Sequence, residues 1–229
     1  MPKTKKRGVL VAIEGIDGAG KTTQARLLEE ALLSGGHKVV RTKEPTDGTW
    51  GRSLRESATK GRLPAEAELD LFLRDRREHV EKLIEPALAA GKVVIIDRYY
   101  FSTVAYQGAR GMDPAELLKM NEAFAPPPDL LVILDVEPLI GIERIRQRGD
   151  RQNDFEQASG LREAARIFRT LDLPYLARIP GTHAPEDITA GILEILYDGP
   201  LAGRPVVPSS ISGRPMTNGD LWMDLAKIS

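Results

Sequence analysis

Between Gly15 and Thr22 the chain reads GIDGAGKT, a Gly-x-x-x-x-Gly-Lys-Thr spacing. Glycines at those positions let successive backbone N–H groups converge on phosphate oxygens, and a helix opening at Lys21 adds the partial positive charge of its N-terminus. Lys21 is then placed to reach the β- and γ-phosphates of a nucleoside triphosphate, and Thr22 to ligate Mg²⁺. The run Gly15, Ile16, Asp17, Gly18, Ala19, Gly20, Lys21, Thr22 and Thr23 is therefore expected to wrap the phosphates of ATP. Asp17 is the odd member. Two unit charges about 5 Å apart at an effective dielectric of about 20 repel by about 3 kcal/mol, so a carboxylate here must serve something other than the donor.

A second group stands in VVIIDRYY, where Asp97 and Arg98 end an apolar run. Asp97 is suited to hold Mg²⁺ directly or through water. Arg98 is suited to a second phosphate, because a guanidinium grips phosphate through two parallel hydrogen bonds. A third group is IERIRQRGDR, which puts Arg144 and Arg148 four residues apart on one helix face with Arg146 and Arg151 nearby. The phosphate loop carries Ala19 and no arginine of its own. Phosphoryl transfer needs cationic stabilisation of the moving group, so an arginine-rich lid over about 144–156 is expected to supply it. Lys21, Arg98, Arg144, Arg148 and Arg151 are thus the expected catalytic cations.

The elements that must position these groups alternate between strand and helix. VLVAIEG (9–15) is a nearly continuous apolar run, as a strand covered on both faces requires. HKVVRTKEP (37–45), KVVIID (92–97) and PDLLVILDV (128–136) read as further strands, and YLARIPGTH as a weak fifth limited by Pro180. Helices are expected over 21–34, over 64–90 with a kink near Pro86, from Asp113–Pro114 onward, over 138–148 and 160–178, and over 185–197. Such alternation implies an α/β fold with a mostly parallel five-stranded sheet and helices on both faces, with ligands beyond the carboxyl ends of the strands. The candidate chemistry at 15–22, 44–46 and 97–98 falls at three such ends.

The bulk composition sets limits. A chain of 229 residues with 41% apolar and 28% charged residues suits one medium soluble domain. A net charge of −1 provides no global basic field for nucleic acid or an anionic membrane. Without cysteine there are no disulfides or thiolate metal sites, which suits a reducing cytoplasm. No apolar run approaches the roughly 18 residues of a membrane span, and MPKTKKRG is basic but lacks the apolar segment of a signal peptide. We divide the chain into a basic tail (1–8), a P-loop domain (9–198) and a Pro/Gly/Ser-rich extension (199–229) with a short amphipathic end at Trp222 and Leu225.

These residues resemble the thymidylate kinase family. The resemblance runs over about 9–197 and rests on IEGIDGAGKTTQ, EPT at 44–46, LFLRDRREH at 71–79, DRYYFSTVAYQG at 97–108 and LDVEP at 134–138. It implies the P-loop three-layer fold and the ATP- and Mg²⁺-dependent phosphorylation of dTMP to dTDP by a cytoplasmic homodimer. It also implies roles. Phe72 matches the aromatic that stacks on thymine, and Arg76 the arginine that bonds the base edge. Arg98 matches the acceptor-phosphate arginine, with Arg55 as its helper and Glu44 in the same substrate set. Ser102 and Thr103 fall where the pyrimidine edge is read. Tyr106 matches the ring beside the sugar's 2′ position, and Gln107 comes next in the chain. Asp17 occupies the position that receives the sugar's 3′-hydroxyl, which would answer the question its charge raises.

With no loop arginine and several in the lid, the chain resembles the bacterial type. Two departures stand out: NDFE (Asn153 to Glu156) where the family shows Asp-Arg/Lys-Phe-Glu, and the 199–229 extension. His37, His79 and His183 show no metal spacing and receive no role, while Glu14 is read as bonding the loop backbone. Two other readings stay open on sequence alone. One is a deoxynucleoside or other pyrimidine nucleotide kinase with Glu44 as base, and the other a non-catalytic P-loop regulator.

Overall fold

The computed structural model describes residues 7–147 and 154–203, with the backbone alone for 154–157. Three apolar runs make the middle of the sheet: β1 (Val9–Glu14), β3 (Val93–Asp97) and β4 (Leu130–Asp135). Neighbouring side chains on a strand point to opposite faces. Every residue of β1 and β3 is buried, so both faces of the sheet are covered. The edge strands β2 (Val39–Lys43) and β5 (Leu176–Pro180) are only partly buried and carry Arg41, Lys43 and Arg178. All five strands are parallel, in the order β2-β3-β1-β4-β5. Each fully buried Val, Leu or Ile side chain contributes about 1.5–3 kcal/mol.

Around the sheet lie α1 (Lys21–Ser34), α2 (Thr49–Lys60), α3 (Ala65–His79), a π-helical turn (Val80–Ile84), α4 (Glu85–Ala89), α5 (Tyr100–Gly108), α6 (Pro114–Glu122), α7 (Pro138–Gln147), α8 (Asp154–Thr170) and α9 (Pro185–Asp198). The register sets Asp97 level with Ile13 on one side and Lys43 on the other. The ladder continues past the strand ends, with the Arg98 amide donating to the Ile13 carbonyl and the Glu44 amide to the Asp97 carbonyl, both at 3.1 Å. Three chemistry-bearing loops therefore leave one edge of the sheet side by side.

The structure departs from the sequence reading in several places. Helices α2 and α5 were not expected. In α2 only Gly51 and Leu54 are buried, so few apolar residues mark it, and α5 is rich in aromatic and β-branched residues that argue locally against helix. Helix α8 ends at Thr170 instead of 178, because the Arg178 guanidinium collects the carbonyls of Phe168, Arg169 and Leu171 at 2.9, 3.2 and 2.7 Å and closes that end. The kink expected at Pro86 appears upstream as the π turn, where the Glu85 amide reaches back to the Val80 carbonyl. Proline offers no N–H to the Lys82 carbonyl one turn earlier, so the ladder loosens there. Past Asp198 the chain still packs: Leu201 is fully buried, and its amide bonds the Leu196 carbonyl at 2.7 Å. Among the described residues no helix is long and apolar enough to cross a membrane.

Candidate active site

The phosphate loop turns directly off the buried end of β1. Its Gly18 has a φ of +83°, and an added Cβ would lie 2.3 Å from the Gly141 carbonyl oxygen. A Cβ on Gly141 would in turn lie 2.5 Å from the Asp17 carbonyl oxygen. The backbone of α7 therefore presses against the loop, and two glycines far apart in sequence permit it. Helix α1 begins at Lys21 with no side chain capping its first amides, which leaves them directed at the space where an anion would sit.

Lys21 lies under the loop, its Nζ donating to the carbonyls of Gly15 at 2.9 Å and Ile16 at 2.7 Å. Burial, and then the nearby Arg98 cation, pull its pKa down to about 8. Thr22 Oγ1 donates to Asp97 Oδ2 at 2.5 Å. The second oxygen, Asp97 Oδ1, is buried with no hydrogen-bond partner. A hydroxyl and a carboxylate with an unused oxygen form a hard donor set that fits Mg²⁺.

The loop divides two cavities. Gly18, Ala19, Gly20 and Thr23 line a space of about 420 Å³ that reaches Gln24, Arg144 and His183. Asp17 lines a second space of about 180 Å³ on the other side. There its carboxylate pairs with the Arg98 guanidinium, and its amide donates to the Tyr106 hydroxyl at 2.9 Å. Burial alone would raise the Asp17 carboxyl, but Arg98 and then Lys21 outweigh it and hold it below the ordinary 3.8. The carboxylate thus faces away from the first cavity and is neutralised where it points.

Arg98 sits at a φ of +67°, unusual for a residue with a side chain. The backbone just beyond it is held by Glu14. That fully buried carboxylate accepts from the amides of Tyr99 at 2.7 Å and Ser102 at 2.9 Å and from the Ser102 hydroxyl at 2.6 Å. Glu14 therefore serves the start of α5 instead of the loop backbone. Desolvation raises its pKa. Helix α5 then turns Ser102, Thr103, Tyr106 and Gln107 toward the second cavity, with the Tyr106 ring 5.7 Å from the Arg98 guanidinium carbon.

Phe72 and Arg76 of α3 form the opposite wall. Arg76 is 1% exposed, and its donors are directed into the protein: Nε to Glu44 at 2.8 Å, Nη1 to Asn121 at 2.5 Å and Nη2 to Thr103 at 3.0 Å. The other Glu44 oxygen meets His79 Nδ1 at 3.0 Å, and His79 Nε2 lies 2.8 Å from the Thr42 hydroxyl. Burial pushes the Glu44 carboxyl up, but Arg76 and His79 bring it below the usual carboxylate range. Arg55 stands apart from this wall, half exposed, donating to the Pro45 carbonyl at 3.0 Å and Asp47 at 2.9 Å. Arg144 donates to the carbonyls of Gly181 at 3.0 Å and Gly18 at 3.3 Å, joining α7 to the loop. Arg148 and Arg151 lie outside the described residues.

Several residues of the site went unread in the sequence. His79 completes the Glu44–Arg76 network. Asp75 fastens the EPT turn by accepting from the Thr46 amide at 2.8 Å and the Thr46 hydroxyl at 2.6 Å. Asn121 orients Arg76, and Arg62 lines the second cavity. The four-residue spacings 68–72–76 and 75–79 in α3 were available as a signal, because they put polar groups on helix stripes that also carry apolar ones.

The model of the thymidylate kinase family matches residues 13–179. A thymidylate kinase of Xanthomonas oryzae pv. oryzae (strain PXO99A) is 56% identical over 226 residues, covering 88% of this chain and 97% of that one. One from Xanthomonas euvesicatoria pv. vesicatoria (strain 85-10) is 57% identical over 170 residues, 74% of this chain and 75% of the relative. One from Xylella fastidiosa (strain M23) is 50% identical over 191 residues, 83% of this chain and 88% of the relative. With a phosphate loop between two cavities, a family match over residues 13–179 and relatives 50–58% identical over most of the chain, the chain belongs to the thymidylate kinase family.

Proposed function

We propose that the chain transfers the γ-phosphoryl group of ATP to dTMP, forming dTDP and ADP. One observation carries this reading: the same loop presents Gly18–Gly20 to one cavity and Asp17, paired with Arg98, to the other. Two phosphate-bearing molecules can then approach across it. The acceptor is a phosphomonoester, largely dianionic at neutral pH because its second pKa is about 6, so it needs no general base. The protein's task is to bring two polyanions into line and to neutralise their charge.

Lys21 exchanges its bonds to the loop carbonyls for the donor phosphates, and the capless start of α1 supplies further N–H groups. Arg98 holds the acceptor phosphate, and Asp17 accepts a hydrogen bond from the 3′-hydroxyl. Phe72 stacks on the base, Arg76 bonds its edge, and Ser102, Thr103, Tyr106 and Gln107 complete that wall. Thr22 and Asp97 would hold Mg²⁺, which neutralises charge on the β- and γ-phosphates when bound. Arg148 and Arg151, with Arg144 at the base of the lid, supply charge over the transferring group.

The working form in this reading is a cytoplasmic homodimer, and a monomer alone in sedimentation velocity would overturn that part. The activity itself is tested by coupled ADP release with dTMP, dUMP, dCMP and thymidine as acceptors. Preferred turnover of dTMP is expected. Equal or faster turnover of thymidine would assign the protein to nucleoside phosphorylation, and no turnover of any acceptor to a non-catalytic role.

A further inference from the structure

We propose that Glu68 is a positioning residue whose hydrogen bond to Gln107 sets the width of the slot that holds the acceptor's base, an inference that rests on dTMP being the acceptor. Glu68, Phe72 and Arg76 are spaced by four along one stripe of α3, and Thr103 and Gln107 by four along one stripe of α5. At one end Arg76 Nη2 donates to Thr103 Oγ1 at 3.0 Å. At the other Gln107 Nε2 donates to Glu68 Oε2 at 2.6 Å. The pairing of 76 with 103 and of 68 with 107 makes the two helices run in opposite directions. The two polar rungs are rooted roughly 12 Å apart along α3 and roughly 6 Å apart along α5, at a rise of about 1.5 Å per residue, so the long Arg76 and Glu68 side chains converge on α5. Phe72 sits midway between them, on the cavity wall. A flat ring lying beside Phe72 therefore enters a slot closed at both ends, and the slot cannot widen without breaking a rung.

The Glu68 end is built to keep its geometry. A carboxylate only accepts, so it turns the nitrogen of the Gln107 amide toward itself and fixes where the amide oxygen points. Gln107 is fully buried and Glu68 is 6% exposed. Arg62 donates to both Glu68 oxygens, at 3.1 and 3.2 Å, and Arg110 pairs with Oε2. Arg110 also donates to the Leu63 carbonyl at 2.8 Å, which ties the α2–α3 connection into the same cluster. Burial would raise the Glu68 carboxyl, but its hydrogen bonds and the two arginines keep it below the usual range, so it stays an acceptor at neutral pH.

The test compares Glu68→Ala, Glu68→Gln, Gln107→Ala and the double variant Glu68→Ala/Gln107→Ala for dTMP KM, kcat and the preference for dTMP over dUMP, with thermal melts to establish folding. Glu68→Ala is expected to raise dTMP KM by about 10-fold or more, to leave kcat within about 3-fold, and to erode the preference for the 5-methyl group. Glu68→Gln still offers an oxygen to the Gln107 amide and should stay within a few-fold of wild type. Gln107→Ala leaves the arginine pairs of Glu68 in place and should match Glu68→Ala, carrying the comparison if that variant fails to fold. The double variant should be no worse than either single one.

An unchanged KM and preference in the folded single variants would overturn the proposal, as would additive losses. So would a Glu68→Gln variant as poor as Glu68→Ala, which would put the effect on the arginines. Wild-type turnover of dTMP alongside any of these negative results overturns the rung alone. Absence of wild-type dTMP turnover overturns the acceptor reading, and this inference with it.

Discussion

One unbroken run, Gly15 to Thr23, makes up the proposed donor cradle, whereas the proposed acceptor cavity takes its wall from Asp17, the Glu44–Pro45 turn, Arg62, α3 and the segment from Arg98 to Gln107. The cradle consists of backbone amides and one lysine, which among the described residues bonds loop carbonyls five and six residues away. The cavity is built on buried side chains that hydrogen-bond one another across 27 to 45 residues of sequence, Glu44 neutralising Arg76. The first is nearly all function and little scaffold. In the second the two cannot be separated, because Arg76 lines the cavity and also joins α3 to Glu44 just past β2, to α5 and to α6.

Changes on the two sides should therefore fail differently. The largest effect is expected for Lys21→Ala, which should lower kcat/KM by at least about 10³-fold with little change in the melting temperature, since the charge it provides acts on the moving group. Its pH dependence comes from burial. With the pKa lowered to about 8, Lys21 is protonated below that value and loses its charge above it. In the wild-type enzyme kcat/KM for ATP, which reports the free enzyme, should fall as pH rises through about 8. A flat profile to pH 9 would show that the lysine keeps its proton in solution.

On the acceptor side Glu44→Ala should act on stability first. It strands the Arg76 cation in a buried site, a loss of about 3–5 kcal/mol that a denaturant titration would read. In the wild type, Arg76 and His79 overcome burial and depress the Glu44 carboxyl below 4.5. Its contribution is then complete above about pH 4.5 and lost as pH falls through the depressed value, so the variant's acid limb should be flatter. Stability equal to wild type at pH 7 would mean that the network serves recognition alone.

Asp17→Ala probes the boundary between the two sides. Loss of a charge-assisted hydrogen bond of about 1.5–3 kcal/mol corresponds to a fall of about 10- to 150-fold in kcat/KM for dTMP, with ATP binding nearly unchanged. The same substitution should cost 3′-deoxy-dTMP far less. Equal losses on both acceptors would show that Asp17 acts by restraining Arg98, its partner in this structure. The smallest effect is expected for truncation after Gly203, which retains buried Leu201 and should leave turnover within a few-fold of full length, as a steady-state assay would show.

The same contrast explains what could be read in advance. The phosphate loop and the alternation of apolar strands with helices are legible, because each is encoded by neighbouring residues or by apolar periodicity, whereas the spatial order of the strands and the meeting of Thr22 with Asp97, 75 residues apart, are not. Helix α5 was not legible. Its start is capped by Glu14, 85 residues before the Tyr99 amide, and no local pattern carries that bond. His79 looked idle because its partners Thr42 and Glu44 lie on another element. The resemblance groups Arg55 with the acceptor residues, whereas in the structure its side chain turns to Pro45 and Asp47.

By itself the sequence determined that this protein has an alternating α/β chain with a phosphate-binding turn after its first strand. Those features arise from glycine spacing and runs of buried apolar residues. Only the tertiary structure decided which way Asp17 faces, where Arg76 spends its hydrogen bonds, and that Gly141 must be small for α7 to reach the loop. The reason is physical. A backbone cradle is specified by local conformation, whereas a buried charge is tolerated only where distant partners meet it, and the parallel register of three strand ends brings those partners together.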